Sequence, residues 1–361
     1  MRPYTPETLS DIDLDWAALV PRIGQANAAL ARYDGLLQSV PSPDLLLAPL
    51  TTQEAVLSSR IEGTQATLED VLEHERRPEA SPKAADVQEV LNYRAALRHG
   101  IEKLEKKPFG VNLLRSMHGV LMEGVRGQHK ARGELRRTQN WIGPPGSTRE
   151  TATYVPPAPT EVLPALGDLE AYYHSDAPDP IVQLAIVHAQ FEVIHPFLDG
   201  NGRIGRLIIP LFLADKGLLA RPLFYISAYF EADRRAYYDR LHAISETRDW
   251  QGWCGFFLDA VLAQSEANAD RVRRILALYD TMKTQIVEIT NSKYALQALD
   301  YLFTKPIFRS SEFVADAEIP KRTALRLLEA LVADGILELR EEARGNVAPL
   351  YAFESLLYIT S

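Results

Sequence analysis

Residues 180–206 read PIVQLAIVHAQFEVIHPFLDGNGRIGR. The first part, IVQLAIVHAQFEVIH, is apolar on nearly every face, which predicts a helix at the centre of a bundle. Pro180 after Asp179 is a favourable first helical position. Pro196 should end the helix near His195, because the residue before a proline avoids the helical region. A second apolar helix is expected from about Asn201 to Lys216. Between them, Gly200, Gly202 and Gly205 satisfy a GxGxxG dinucleotide pattern. That fingerprint requires a preceding strand, a βαβ unit and an acidic residue about 20 positions on. Here the preceding element reads as helix, so the Rossmann interpretation is rejected.

The loop still points to phosphate. Glycines let backbone amides approach an anion closely, and the helix that follows adds its positive dipole end. Arg203 and Arg206, three apart, lie on neighbouring faces of the first turn and can reach one polyphosphate. Asp199 beside an anion cradle makes sense if a cation intervenes, and Mg²⁺ bridging phosphates is the obvious one. His195 is placed to take a proton from whatever attacks that phosphate. Each residue alone has a plainer reading: a histidine cap, a Gly-Asn-Gly turn, an N-capping aspartate. His188 and His195 stand roughly 10 Å apart along a helix and cannot share one zinc. Within twelve residues, however, these types together are hard to explain as packing.

Working outward, most of the chain carries helical periodicity. Residues 14–40 show it with an interruption expected at Pro21, and Pro41, Pro43 and Pro49 break it. Thr51-Thr52-Gln53-Glu54 resembles a capping box opening a helix to about Glu62, with Gly63 as its stop. A short helix is predicted over 68–76, ended by Pro78 and Pro82. Further helices are expected over 84–105, 110–124, 161–173, 231–246 and 250–290. Residues 133–160 differ: Arg136–Ile142 and Thr151–Val155 flank a Gly/Pro/Ser turn and suggest a β-hairpin. After Asn291, three short helices (293–304, 310–316, 320–334) and strand candidates Ile336–Arg340 and Leu350–Phe353 read as a winged helix.

The 361 residues favour two to three domains. With 24% charged and 46% hydrophobic residues the composition is that of a soluble globular protein. A net charge of −9 argues against general nucleic-acid or membrane-surface binding. The lone Cys254 excludes a disulfide framework, a CxxC pair and a cysteine-rich zinc site. The start lacks a signal-peptide pattern and no apolar run approaches the roughly 20 residues of a membrane helix, so a cytoplasmic protein is expected.

HPFLDGNGRIGR resembles the motif of the Fic (filamentation induced by cAMP) domain family, HPFx(D/E)GNGRxxR, at every defined position. GELRRTQNWIG and YVPPAP are similar to that family's target-binding flap, and SAYFEADRRAYYDRL to the segment after the motif. The resemblance implies a mainly α, Fic-type helical bundle with a small β-hairpin flap and a C-terminal winged helix. It divides the chain into an N-terminal helical region (1–95), a catalytic domain (96–262), a connecting helix (263–290) and the winged helix (291–361). It also implies transfer of AMP from ATP to a Ser, Thr or Tyr hydroxyl of a target protein, the enzyme itself included. In that reading His195 is the general base and Asp199 holds Mg²⁺. Gly200, Asn201, Gly202, Arg203, Gly205 and Arg206 bind the phosphates, Arg203 at the β- and Arg206 at the γ-position. Tyr237 and Tyr238 would wall the adenine, with membership of the core as the other option. Asn140, Trp141, Ile142 and Gly143 would offer backbone groups to an extended target peptide.

Ser58-Ser59-Arg60-Ile61-Glu62-Gly63 matches the family's (S/T)xxxE(G/N) inhibitory helix. Ser58 and Glu62, four apart, share a face. The resemblance implies that Glu62 pairs with Arg206 where a γ-phosphate would sit. Residues 291–361 hold eight Lys/Arg against ten Asp/Glu, net −2, although Lys321, Arg322 and Arg326 form a local patch. Protein contacts or a homodimer are therefore favoured over DNA for this domain. The alternatives carried forward are a DNA-binding regulator with a nucleotide-sensing Fic domain, another nucleotide donor, and removal of AMP.

Overall fold

Pro180–Ile194 is a helix capped by Asp179, whose Oδ1 accepts from the N–H groups of Ile181 and Val182 at 3.0 and 2.9 Å. Every residue from Ile181 to Ile194 is buried except Glu192, which is half-buried. Each buried Val, Leu, Ile or Phe side chain contributes on the order of 1.5–3 kcal/mol, so this helix anchors the bundle. The computed structural model describes residues 2–75, 83–125, 131–144, 146–345 and 347–360. Pro78 and Pro82, expected to end a helix, lie outside the described residues.

Gly200 takes a left-handed conformation (φ +78°) and starts the helix Asn201–Asp215, which packs back along the central one. On the other flank runs the long helix Trp250–Thr290, tied to the centre by Trp253, whose Nε1 donates to the Ala185 carbonyl at 2.7 Å. Trp16–Ser39 lies along this long helix. The break expected at Pro21 does not occur. Proline there removes one backbone bond near the helix start, while Leu19, Ala26, Leu30, Tyr33 and Leu37 stay buried and hold the helix continuous.

The helix that ends at Ile61 begins at Ala48, not at Thr51. Pro49 sits in its first turn, where a missing N–H costs nothing. The expected capping box is absent because Glu54 turns inward: its carboxylate accepts from the N–H and hydroxyl of Ser227, at 3.1 and 2.6 Å. Glu62 is the C-cap, and Gly63 follows at φ +97°. Leu68–His74 opens with a capping box made by Thr67 and Asp70.

Among the described residues the hairpin over 136–155 is reduced to a single antiparallel bridge, Ile142 with Tyr154. At the open end a longer ladder is prevented on both strands. Arg136 is buried and turns its guanidinium toward the end of the central helix, and Pro156 and Pro157 lack N–H groups to pair.

The C-terminal region has helices Ala295–Thr304, Ser310–Asp316 and Lys321–Ala333, then Glu354–Thr360. Its sheet has three strands rather than two. β1 (Ile307–Arg309), β2 (Glu338–Glu341) and β3 (Leu350–Ala352) are antiparallel in the order β1-β3-β2. Ile307, Leu350, Ala352 and Leu357 form a small second core with Leu68. Among the described residues no helix is long and apolar enough to cross a membrane.

The central helix sets a stability prediction. Leu184→Ala should cost about 2–5 kcal/mol in denaturant unfolding. Leu163→Ala, 60% exposed on the surface, should change it by no more than about 0.5 kcal/mol.

Candidate functional site

His195 caps the central helix in the left-handed region (φ 49°), a costly conformation for a side chain of this size. Its surroundings over-determine it. Its N–H donates to Phe191 O at 3.0 Å, its Nδ1 lies 3.3 Å from Glu192 O, and its carbonyl accepts from Arg136 Nε at 2.9 Å. A carbonyl only accepts, so Nδ1 carries the proton and Nε2 keeps its lone pair. Burial, which penalises the imidazolium, pushes its pKa down to about 4.

The following loop is clipped from inside. Asn201 Oδ1 accepts from Phe197 N–H at 2.8 Å, and its Nδ2 donates to Phe197 O at 2.9 Å. What Asn201 can offer an anion is therefore its main-chain N–H at the helix start. Asp199 Oδ1 accepts from the Gly200 N–H at 2.8 Å and lies 3.8 Å from Arg203 Nη2. Asp199 is one-third exposed. A single carboxylate of this kind would suit the protein share of a Mg²⁺ site that phosphate oxygens and water complete. No cluster of three metal-binding side chains occurs among the described residues.

Arg206 is fully buried yet charged. Its Nε donates to Ser58 Oγ at 2.8 Å, and its Nη2 donates to Ser58 O at 2.8 Å and to Glu62 Oε1 at 2.7 Å. Burial alone would lower its pKa, but Glu62, with Tyr237, Tyr238 and Glu192 adding to it, holds the group above the usual value. The approach is tight: a Cβ at Gly202 would collide with Glu62 Oε1 and lie 3.0 Å from Arg206 Nη1. Arg203 goes elsewhere. It is buried against Glu89 (3.2 Å), whose Oε2 also accepts from Thr64 Oγ1 at 2.9 Å.

These residues meet at a cavity of about 530 Å³ lined by His195, Gly202, Arg206, Glu62, Tyr238 and the flap segment 141–143, among others. Arg203 and Asp199 do not line it. One expectation needs correction. Tyr237 is a core residue, its hydroxyl 3.0 Å from His188 Nε2, and only Tyr238 faces the cavity. Adjacent helical positions point about 100° apart, so one residue of such a pair turns inward. Gly205 lies inside the motif helix, its carbonyl 3.0 Å from His188 Nδ1, and a Cβ there would strike Glu192 Oε1. In the flap, Asn140 Nδ2 donates to Phe197 O at 3.2 Å. Ile142 spends its N–H and carbonyl on Thr153 and Tyr154. An incoming strand would therefore use Trp141 and Gly143.

Four contributors were missed in the sequence. His118 accepts at Nδ1 from Gly133 N–H (2.9 Å), so its Nε2 donates to Asp199 O (3.0 Å) while its ring stacks on Phe197. Arg136 satisfies the carbonyls of Pro157, Ile194 and His195. Glu89 holds Arg203, and Glu192 faces the cavity. His118 and Glu89 lie far from the motif in sequence and carry no local signal. Arg136 stands inside the quoted flap segment, and Glu192 sits three residues before His195.

Comparison with known proteins agrees with this geometry. The Fic/DOC family N-terminal model matches residues 20–102 and the Fic/DOC family model residues 108–213. A probable protein adenylyltransferase of Aquifex aeolicus is 37% identical over 90 residues, 24% of this chain and 28% of its own length. Protein adenylyltransferase fic-1 of Caenorhabditis elegans is 29% identical over 164 residues, 44% of this chain and 27% of its own length. The matched region thus spans less than a third of either relative. A Fic family protein from Desulfovibrio desulfuricans shares the fold over 98% of both chains, with a TM-score of 0.59 and 21% identity.

The site makes one measurement decisive for the base. Burial likewise lowers the pKa values of His118 to about 4 and His188 to about 3. Histidine NMR should therefore find these two imidazoles and His195 neutral from pH 8 down to 5, with the His195 midpoint near 4. A His195 midpoint near the ordinary 6.5 would contradict the buried, Nδ1-bonded geometry.

Proposed function

Because the chain belongs to the Fic/DOC family, its two family segments together covering more than half of the 361 residues, we propose that it transfers AMP from ATP to a hydroxyl of a target protein, restrained at rest by Glu62. The observation that carries this reading is the placement of His195 and the Glu62–Arg206 pair on one cavity wall. His195 Nε2 takes the proton of the incoming Ser, Thr or Tyr hydroxyl. The hydroxyl oxygen bonds to the α-phosphorus, the bond to the bridging oxygen breaks, and pyrophosphate leaves. The N–H groups of Gly202 and its neighbours face the phosphates, and positioning with charge neutralisation supplies most of the catalysis. Asp199 is the residue that would hold Mg²⁺, which when bound with the phosphates offsets their charge. Arg203, braced by Glu89, adds positive charge from beneath the loop. Tyr238 is left as the wall for the adenine.

Arg206 is the residue that would donate to the γ-phosphate. At rest its Nη2 is engaged by Glu62, and a carboxylate and a phosphate compete for one guanidinium. The reading of 291–361 as a DNA-contacting winged helix gains little support: Lys321, Arg322 and Arg326 are exposed on Lys321–Ala333, but Glu329 is exposed on the same helix. We place protein contacts there instead, a second copy of the chain included.

Three variants test this assignment with labelled ATP. His195→Ala should abolish label transfer to protein, by at least a hundredfold, with ATP still bound. Glu62→Gly should raise transfer tenfold or more, mostly in turnover, including label on the enzyme itself. Adding Arg206→Ala to Glu62→Gly should cancel that gain. Turnover in Glu62→Gly at or below wild type would refute the restraint. Loss of label from modified protein, rather than its gain, would identify AMP removal.

A further inference from the structure

Glu192 interrupts an otherwise fully buried helix face, and nothing in the mechanism above uses it. Its Oε1 is buried and has no hydrogen-bond partner. It lies against the motif helix at Gly205, where a Cβ would strike Oε1, and Gly202 is one turn earlier on the same face. That turn carries a second unmet group: Arg206 Nη1 is buried and has no acceptor. Glu192 and Arg206, which hold a buried, unsatisfied carboxyl oxygen and guanidinium N–H, both line one cavity. Each unmet group is unfavourable while it stays so. An oxygen-rich ligand seated there would satisfy both, provided that the carboxyl group brings a proton to donate.

We propose that Glu192 is a proton-linked part of the nucleotide site, whose carboxylic acid form donates a hydrogen bond to the polyphosphate of ATP and whose carboxylate form repels it. This rests on ATP as the substrate, as proposed above. The charged and titratable groups around Glu192 come from each neighbouring element. Arg206 faces it from the motif helix and Glu62 from the end of Ala48–Ile61. Tyr237, Tyr238 and His242 lie on Arg234–Thr247, and His188 and His195 on its own helix. Glu54 stands behind Arg206.

Burial raises the Glu192 pKa to about 8. Arg206 opposes that rise and Glu62 adds to it. The sign follows. At pH 7 the group is a neutral acid and ATP is accepted; as pH rises through about 8 it ionises and ATP is expelled. Burial puts Tyr238 and Tyr237 above this window and His188 and His195 below it, while Glu54 titrates near 7.

The test is calorimetric titration of the full chain with ATP and Mg²⁺ at several pH values from 7 to 9. With one proton lost from a binding group of pKa about 8, the Kd should rise roughly tenfold across that range. Glu192→Gln keeps the shape and a neutral N–H donor, and should flatten the slope. His242→Gln should keep it. A wild-type Kd that stays level from pH 7 to 9 overturns the proposal without any variant, and so does a slope that survives in Glu192→Gln. Either result, with ATP still bound, leaves the adenylyltransferase reading standing. Failure to bind ATP at any pH would remove both.

Discussion

A fully buried guanidinium organises this protein. Arg206 lies beneath the motif helix with its Nε on the Ser58 hydroxyl and its Nη2 shared between Ser58 O and Glu62. Removing such a charge from water costs several kcal/mol, and a buried ion pair rarely repays this as stability. The arrangement suits the proposed phosphate site, with Glu62 standing where the phosphate would sit. Ser58 supplies two buried acceptors that hold the fork in place. Glu62, one-third exposed, supplies the third. The same pairing explains why position 202 is glycine: any side chain there would push the carboxylate off.

Around that fork, the motif loop is fixed from outside itself. His195 holds an unfavourable backbone conformation because Phe191, Glu192 and Arg136 leave it no alternative. Arg136 places positive charge against the carbonyl end of the central helix, where the helix dipole favours a cation. His118 fixes Asp199 through its carbonyl, and Asn201 locks the turn onto Phe197. The His195 imidazole is thus oriented by the helix end, and the motif loop by a separate helix.

The central helix, the start of the motif helix and the partnership of Glu62 with Arg206 were all legible in the sequence. The first two are local: period, proline and glycine act within a few residues. The third came through a family motif, because no spacing rule links positions 62 and 206. What failed to show was tertiary. Thr51–Glu54 has the letters of a capping box, yet burial against Ser227 redirects Glu54. Arg136 carries no sign that a charge will be buried, since arginine is exposed by default. The Tyr237–Tyr238 pair could be divided only by knowing which side of Arg234–Thr247 meets His188. The third strand of the C-terminal sheet, Ile307–Arg309, is too short for a periodic signal and exists because β3 pairs with it.

The same packing restricts how Arg206 is cleared. Ser58 and Ser59 are completely buried, so sliding the Ala48–Ile61 helix away would empty part of the core and break both Ser58 bonds. The segment beyond is no looser. Thr64 is tied to Glu89, which also carries Arg203, and Leu68 sits in the small core with Ile307, Leu350 and Leu357. Glu69 and Glu354 both reach Arg340, so the C-terminal sheet holds the next helix from its far side. Against that, rotating the Glu62 side chain breaks one charge-assisted bond and moves no buried apolar atom. That bond contributes about 1.5–3 kcal/mol, and in the proposed reaction a terminal phosphate entering the same place would restore it. The cheap route is therefore a rotamer change at a fixed helix end. The fixed surroundings would return the carboxylate to the same position once that phosphate left.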